Sequence, residues 1–138
     1  MLNPIEEGAE LKLDFSKLNT AIRNCPDVIP VAVQDIDTQE LLVVAYANET
    51  ALKEAIKRRT AVFWSTSRNE LWVKGETSGN TFDLVEIRVN CEQNSLLYRV
   101  RPRGSGMCHT RNEKGESRSG CYYRRLDFET GELENLEP

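Results

Sequence analysis

The fold class follows from one segment, IPVAVQDIDTQELLVVAY at residues 29–46. It contains two runs rich in β-branched residues, 29–36 and 41–46, separated by the polar residues 37–40. Two such runs joined by a short polar connection predict an antiparallel hairpin. Runs of the same character follow later in the chain, at residues 61–65, 71–74, 82–91, 95–101 and 121–126. The sequence therefore predicts an α+β fold, a β-rich single domain of mostly antiparallel strands with one or two short helices.

Two segments carry helical spacing. Asn48 is a typical N-cap, and the segment that follows places apolar residues three or four apart and ends on basic side chains, which predicts a helix over residues 49–59. Leu18 and Ile22 favour a second helix over residues 16–23, which we expect to pack on the core.

Length and composition restrict the function. The chain has 138 residues, enough for one hydrophobic core. We expect an N-terminal extension packing on the core (1–27), a main domain (28–126) and a solvated acidic tail (127–138). The net charge of −4 disfavours nucleic-acid binding. Neither a membrane-spanning apolar stretch nor a signal peptide is apparent, which predicts a cytoplasmic protein with no membrane partner.

Cysteine usage suggests a metal site. Cys91, Cys108 and Cys121 all lie in the second half of the chain. Three thiolates can hold a zinc ion and leave a fourth position for water, as a catalytic site requires. Their spacing is not that of a zinc knuckle, so packing in the core is an equally good interpretation of the spacing alone. Cys25 is predicted to be a packing residue.

His109 is the sole histidine of the chain and directly follows Cys108, in a polar segment at residues 103–120 that predicts a long loop. A neutral imidazole at this place can accept a proton from activated water or serve as a fourth metal ligand. An ordinary surface histidine is the alternative.

Oxygen-bearing side chains surround Cys91. If the strand continues through this point, Asn90, Glu92 and Asn94 share one face, where they can meet a hard cation such as Mg²⁺. The alternative is a polar strand end that enters a turn.

Other features favour an anionic ligand. Segment 99–125 has eight basic residues against two acidic ones, although the whole protein is acidic. Guanidinium groups match phosphate oxygens well, so this segment favours a phosphorylated ligand over a merely solvated loop. The clusters at residues 65–68 and 77–80 contain hydroxyls and glycine and can form an anion nest or an ordinary turn.

Together these features resemble the phosphoribosyl-AMP cyclohydrolase family over residues 29–126. The resemblance is carried by five segments in order, of which residues 72–80 are the most specific: PVAVQD (30–35), VAYAN (44–48), FWSTSR (63–68), LWVKGETSGN (71–80) and CHT (108–110).

The resemblance implies a hydrolase of histidine biosynthesis that opens the adenine ring of phosphoribosyl-AMP between N1 and C6. It implies an obligate homodimer with shared active sites, in which zinc is bound by Cys108, Cys121 and, from the other subunit, Cys91. His109 is implicated in catalysis.

The resemblance also implies a phosphorylated nucleotide substrate. Its expected ligands are Ser65, Arg68, Trp72, Lys74, Thr77, Ser78, Gly79 and Asn80, and either Trp64 or Trp72 can stack on the purine. A magnesium site at Asn90, Glu92 and Asn94 is implied only weakly, because the family motif Asp-Cys-Asp-x-Asp has three carboxylates where this chain has one. The interval between Cys108 and Cys121 is longer than usual in the family, and Arg111, Lys114 and Arg118 within it are candidate phosphate contacts.

Two other functions compete with this interpretation. A non-catalytic, zinc-stabilised nucleotide-binding module would keep the thiolates and lose the acidic motif, as this sequence does. A cyclohydrolase acting on another purine nucleotide would use the same chemistry. If the main interpretation holds, we expect the upstream phosphoribosyl-ATP pyrophosphohydrolase to be a separate polypeptide.

Overall fold

The computed structural model describes residues 3–25, 27–104 and 108–138, with the backbone alone for Ala21, Ile22 and Asn24. Its helices are α1 (Pro4–Glu7), α2 (Lys17–Asn24) and α3 (Glu49–Arg58). Its strands are β1 (Ile29–Asp35), β2 (Leu41–Ala47), β3 (Val62–Ser65), β4 (Glu70–Val73), β5 (Phe82–Val89), β6 (Leu96–Pro102), β7 (Arg124–Leu126) and β8 (Leu133–Asn135). Among these residues, no helix is long and apolar enough to cross a membrane.

The main sheet has four strands in the order β2-β1-β6-β5. Strands β1 and β2 form the predicted antiparallel hairpin, with Ile29 opposite Ala47. Its turn is stabilised by Asp35, whose carboxylate accepts the backbone N–H groups of Asp37 and Thr38. Strand β5 is antiparallel to β6, whereas β1 and β6 run parallel. The predicted α+β class with mostly antiparallel strands is confirmed.

The core lies between this sheet, α3 and the β3–β4 hairpin. Val31, Phe63, Phe82 and Tyr98 are fully buried there. Helix α3 adds small side chains, including Ala51, and this lets it pack closely on β3.

Helix α3 agrees with its sequence prediction at both ends. The Asn48 side chain accepts the N–H of Ala51 at 2.9 Å, the expected N-cap contact. The helix ends at Arg58 and is followed by the C-cap Arg59, which takes the left-handed conformation with φ 56°. The local pattern was sufficient to place this element.

The N-terminal expectation is only partly confirmed. Helix α2 is present, but three described apolar residues before and within it, Leu13, Phe15 and Leu18, are exposed instead of packed on the core. Leu13 is 63% exposed, Phe15 89% and Leu18 52%. The side chain of Ile22 lies outside the described residues. Cys25 is buried as predicted, and its thiol donates to the Asn69 side chain at 3.1 Å, which links the end of α2 to the β3–β4 turn.

The C-terminal tail is largely solvated, as predicted, but it is not frayed. Residues 124–126 and 133–135 pair as the antiparallel hairpin β7–β8. Backbone hydrogen bonds from Leu133 to Ala9 and from Leu136 to Tyr123 dock this hairpin on the rest of the chain. Ala9 is far away from this hairpin in sequence, so a local apolar period could not reveal the docking contact.

The predicted long loop at 103–120 is more ordered than its composition suggests. Arg111 and Ser117 form an isolated antiparallel bridge, and the N–H of Cys108 donates to Arg118 at 3.0 Å. Residues 105–107 of this segment lie outside the described residues. The loop therefore folds back on itself and returns Cys121 towards Cys108.

Candidate active site

A cavity of about 550 Å³ lies between two segments, residues 68–80 and residues 108–121. Half of its lining residues come from the tract that is most specific to the resemblance, residues 72–80. Cys108, His109, Arg111 and Cys121 lie on the opposite wall. The two segments that carry most of the candidate site residues thus face one another.

Two of the three candidate thiols come together in this cavity. The thiol of Cys121 donates to Cys108, and the Thr110 hydroxyl lies 3.0 Å from the Cys108 sulfur. The contact with Cys121 is the main reason why the pKa of Cys108 is lowered to about 5. The same contact, with Cys121 as donor, raises the pKa of Cys121. At neutral pH the pair therefore consists of one thiolate and one thiol. Two sulfur atoms this close together are suitable ligands for a metal ion such as zinc.

A buried lysine lies next to this pair. Lys74 is 7% exposed, its ammonium donates to the Asn80 carbonyl at 3.1 Å, and it stands 5.1 Å from the centre of the Phe82 ring. Burial lowers its pKa, while the charges of Cys121 and Cys108 act in the opposite direction. A charged Lys74 favours the thiolate form of the pair.

His109 is held from outside the cavity. Its Nε2 lies 3.0 Å from the Oε1 of Glu6, while 79% of the imidazole is exposed. The hydrogen bond to Glu6 is the main cause of the raised pKa of His109. The contact therefore links His109 to the N-terminal segment, and nothing in the local sequence around His109 indicated this partner.

The structure brings most of the expected substrate ligands to the cavity, where Arg68, Trp72, Lys74, Thr77, Ser78 and Asn80 line it. Ser65 and Gly79 are not part of the lining, and the Ser65 hydroxyl lies 3.3 Å from that of Ser67. Trp72 is half-buried against Phe63, with ring centres 5.3 Å apart, whereas Trp64 donates its indole N–H to Asn69. Trp72 is thus the tryptophan that borders the cavity.

Gly75 permits the close turn in this tract. Its φ is +78°, and a Cβ at this position would lie 2.3 Å from the backbone of Asn80. Only glycine fits such a close approach with this conformation. The turn brings Asn80 back to the ammonium of Lys74.

Cys91 lies apart from the other two cysteines. It is exposed, sits in the turn between β5 and β6, and is not among the cavity residues. Strand β5 ends at Val89, so the strand face expected for the residues around Cys91 does not form.

Those residues form a hydrogen-bonded turn instead. The Asn90 side-chain oxygen accepts the N–H groups of Asn94 and Ser95, and its amide donates to the Asn94 oxygen at 2.6 Å. Asn94 in turn donates to Glu92 at 3.2 Å. The side-chain oxygens of Asn90 and Asn94 therefore already accept hydrogen bonds within the turn. Glu92 is the one carboxylate among these three residues.

The thiol pair could supply two ligands to a metal ion. Within residues 3–25, 27–104 and 108–138, no group of three histidine, cysteine or acidic side chains could hold a metal ion. The chemistry of Cys108 and Cys121 fits zinc, and a site with three protein ligands would need one from outside this set of described residues.

The structure places most of the basic residues of segment 99–125 outside the cavity. The arginines of this segment mostly form ion pairs with the rest of the fold: Arg99 with Glu86, Arg101 with Asp37, Arg103 with Asp83, Arg118 with Glu7 and Arg125 with Glu134. Arg118 is almost fully buried and therefore unavailable to a phosphate. Of the eight basic residues, Arg111 lines the cavity.

Fold and cavity define a small α+β protein whose candidate site combines paired thiols, one histidine and a buried lysine. The sequence model of the family "Phosphoribosyl-AMP cyclohydrolase" matches residues 43–123, more than half of the chain. The chain belongs to the phosphoribosyl-AMP cyclohydrolase family, a family of hydrolases of histidine biosynthesis. The resemblance noted in the sequence is thereby confirmed.

Curated relatives support this assignment. A phosphoribosyl-AMP cyclohydrolase of Archaeoglobus fulgidus is 49% identical over 100 residues, which cover 72% of this chain and 86% of the relative. Another from Brucella anthropi is 41% identical over 132 residues, 94% of this chain and 82% of the relative. The histidine biosynthesis bifunctional protein HisIE of Thermus thermophilus is 46% identical over 99 residues, 72% of this chain and 43% of that protein.

Proposed function

We propose that this protein catalyses the hydrolytic opening of the adenine ring of phosphoribosyl-AMP. The water oxygen bonds to C6, which becomes a carboxamide carbon, and N1 takes a proton as the N1–C6 bond breaks. The observation that carries the proposal is the cavity itself, since it unites Cys108, Cys121 and His109 with the 72–80 tract in a member of this family.

We further propose that the site is zinc-dependent and shared between two copies of the chain. Cys108 and Cys121 would supply two ligands, and Cys91 of the partner subunit the third. The exposed position of Cys91, away from the cavity of its own chain, supports this arrangement because an exposed thiol can reach a neighbouring molecule. When bound, zinc supplies Lewis-acid activation of water at neutral pH.

Side chains of the protein carry out the remaining steps of binding and proton transfer. His109 accepts the proton of the attacking water and returns it to N1 of the substrate. Lys74 stabilises the negative charge on the thiol pair. Trp72 offers an aromatic face at the cavity edge for the purine, and Arg68, Thr77, Ser78 and Asn80 supply donors for the phosphates.

Magnesium would contribute little in this proposal. The amide oxygens of Asn90 and Asn94 already accept hydrogen bonds, and neutral amides offer a cation dipoles rather than charge. We therefore expect turnover of the zinc-loaded protein to respond weakly to added Mg²⁺.

The experiment is an absorbance assay of ring opening with phosphoribosyl-AMP, using zinc-loaded protein with and without Mg²⁺. Turnover that is lost on chelation and restored by zinc supports the proposal. Binding of the nucleotide without turnover would instead indicate a non-catalytic nucleotide-binding module. Turnover of a different purine nucleotide alone would indicate another cyclohydrolase activity.

A further inference from the structure

A carboxylate from the N-terminal segment reaches the histidine of the candidate site. We propose that Glu6 is a positioning residue for His109 that determines which ring nitrogen carries the proton. Glu6 lies outside residues 43–123, the part of the chain that matches the family model. The inference rests on the proposed function, because it concerns the proton that His109 transfers.

The segment that carries Glu6 is held firmly by its backbone. The Tyr123 hydroxyl donates to the carbonyl of Glu6 at 2.9 Å. Arg124 donates to the carbonyls of Ile5 at 2.6 Å and Gly8 at 3.0 Å. Because these contacts use backbone oxygens, a substitution of the Glu6 side chain leaves all of them in place.

A second side chain ties the same segment to the loop of the site. Glu7 pairs with Arg118 at 2.7 Å, and both side chains are largely buried, 16% and 3% exposed. The Arg118 guanidinium also stacks on the Tyr123 ring at 4.2 Å and donates to the Glu137 carbonyl. Arg118 belongs to the loop between Cys108 and Cys121. The ion pair therefore fixes this loop relative to α1.

The contact itself assigns the proton. Nε2 of His109 lies 3.0 Å from Oε1 of Glu6, and the Asn3 amide donates to that same oxygen at 3.4 Å. An ionised carboxylate only accepts hydrogen bonds, so the nitrogen that faces it must carry a proton. A neutral His109 is therefore the Nε2–H tautomer, and Nδ1 is the atom that accepts the proton of the attacking water.

The kinetic test compares three variants of the full chain loaded with zinc. Glu6→Ala removes the acceptor and should lower kcat about tenfold or more, as loss of a partner that orients a functional histidine does. The KM should change little, since Glu6 is not part of the cavity lining. Glu6→Gln keeps an accepting oxygen and should restore most of the kcat. Glu10→Ala, an exposed carboxylate in the same segment, is the matched control and should behave as wild type.

The spectroscopic test uses the fact that His109 is the chain's single histidine. Nitrogen-15 NMR of the neutral ring should show the Nε2–H tautomer in the wild type and a mixture, or the other tautomer, in Glu6→Ala. An Nδ1–H tautomer in the wild type, or an unchanged kcat in a folded Glu6→Ala, would overturn the inference. Absence of wild-type turnover would refute the proposed function, whereas the tautomer measurement would still decide whether Glu6 positions the ring.

Discussion

Cys91 and the pair Cys108–Cys121 are the same residue type with the same predicted role, yet the structure treats them differently. The pair lies in a cavity, with its sulfurs hydrogen-bonded and a lysine nearby. Cys91 is exposed in a turn at the far end of β5. This difference is what the proposed shared site requires, with two ligands in the cavity of one chain and the third presented to the partner subunit.

Removal of one member of the pair should have the largest effect. Cys121→Ser should lose bound zinc and lower turnover about a thousandfold, since Lewis-acid activation is worth several kcal/mol. Metal analysis and the ring-opening assay measure both effects. Cys25→Ser is the matched control, because Cys25 is buried beside Asn69 and should keep both zinc and turnover. Full zinc occupancy in Cys121→Ser would show that the pair is not the metal site.

The ion pair that attaches the loop between Cys108 and Cys121 to α1 should have the next largest effect, which is on stability. Glu7→Gln breaks the ion pair with Arg118 and should lower the free energy of unfolding at pH 7 by about 2 kcal/mol, the value typical of a hydrogen bond to a charged group. Urea unfolding measures this, with the exposed Glu10→Gln as control.

The Glu7→Gln variant also tests how the stability contributed by Glu7 depends on pH. The hydrogen bond from Arg118 lowers the pKa of Glu7 below its ordinary value of 4.5. The contribution of Glu7 is therefore fully present above pH 4.5 and is lost as the pH falls through the lower pKa of the folded state. The stability difference between wild type and Glu7→Gln should shrink in that acid range. A constant difference down to pH 2 would contradict the ion pair.

A smaller difference is expected between substitutions of an arginine at the cavity and of an arginine on the main sheet, measured as the KM for phosphoribosyl-AMP. Arg68 lines the cavity, whereas Arg101 pairs with Asp37 beside the β1–β2 turn. Arg68→Ala should raise the KM for phosphoribosyl-AMP about tenfold through loss of one charge-assisted phosphate contact. Arg101→Ala should leave the KM unchanged. Equal effects of the two substitutions would argue against a phosphate subsite near Arg68.

Local signals predicted the parts of the fold that local contacts determine. The β1–β2 hairpin and the Asn48 cap of α3 depend on residues close together in the chain. Strand β7 lies within the predicted run at residues 121–126, whereas β8 escaped prediction because it docks on Ala9 through backbone groups that carry no sequence signal.

The candidate site was predictable in its residue types but not in its partners. The single histidine and the 72–80 tract, both singled out in the sequence, lie on opposite walls of the cavity. Sequence alone could not show that Arg118 is buried against Glu7, nor that Glu6 meets His109, since both contacts join positions more than 100 residues apart. A count of basic residues therefore overstated the charge available to a phosphate.

Mixing two inactive variants, Cys91→Ala and Cys108→Ala, tests the shared site most directly. Each mixed dimer contains one site with all three thiols intact, so random exchange of subunits should restore about a quarter of the wild-type turnover. No activity after exchange, with mixed dimers demonstrated by mass, would contradict a metal centre shared between two copies of the chain.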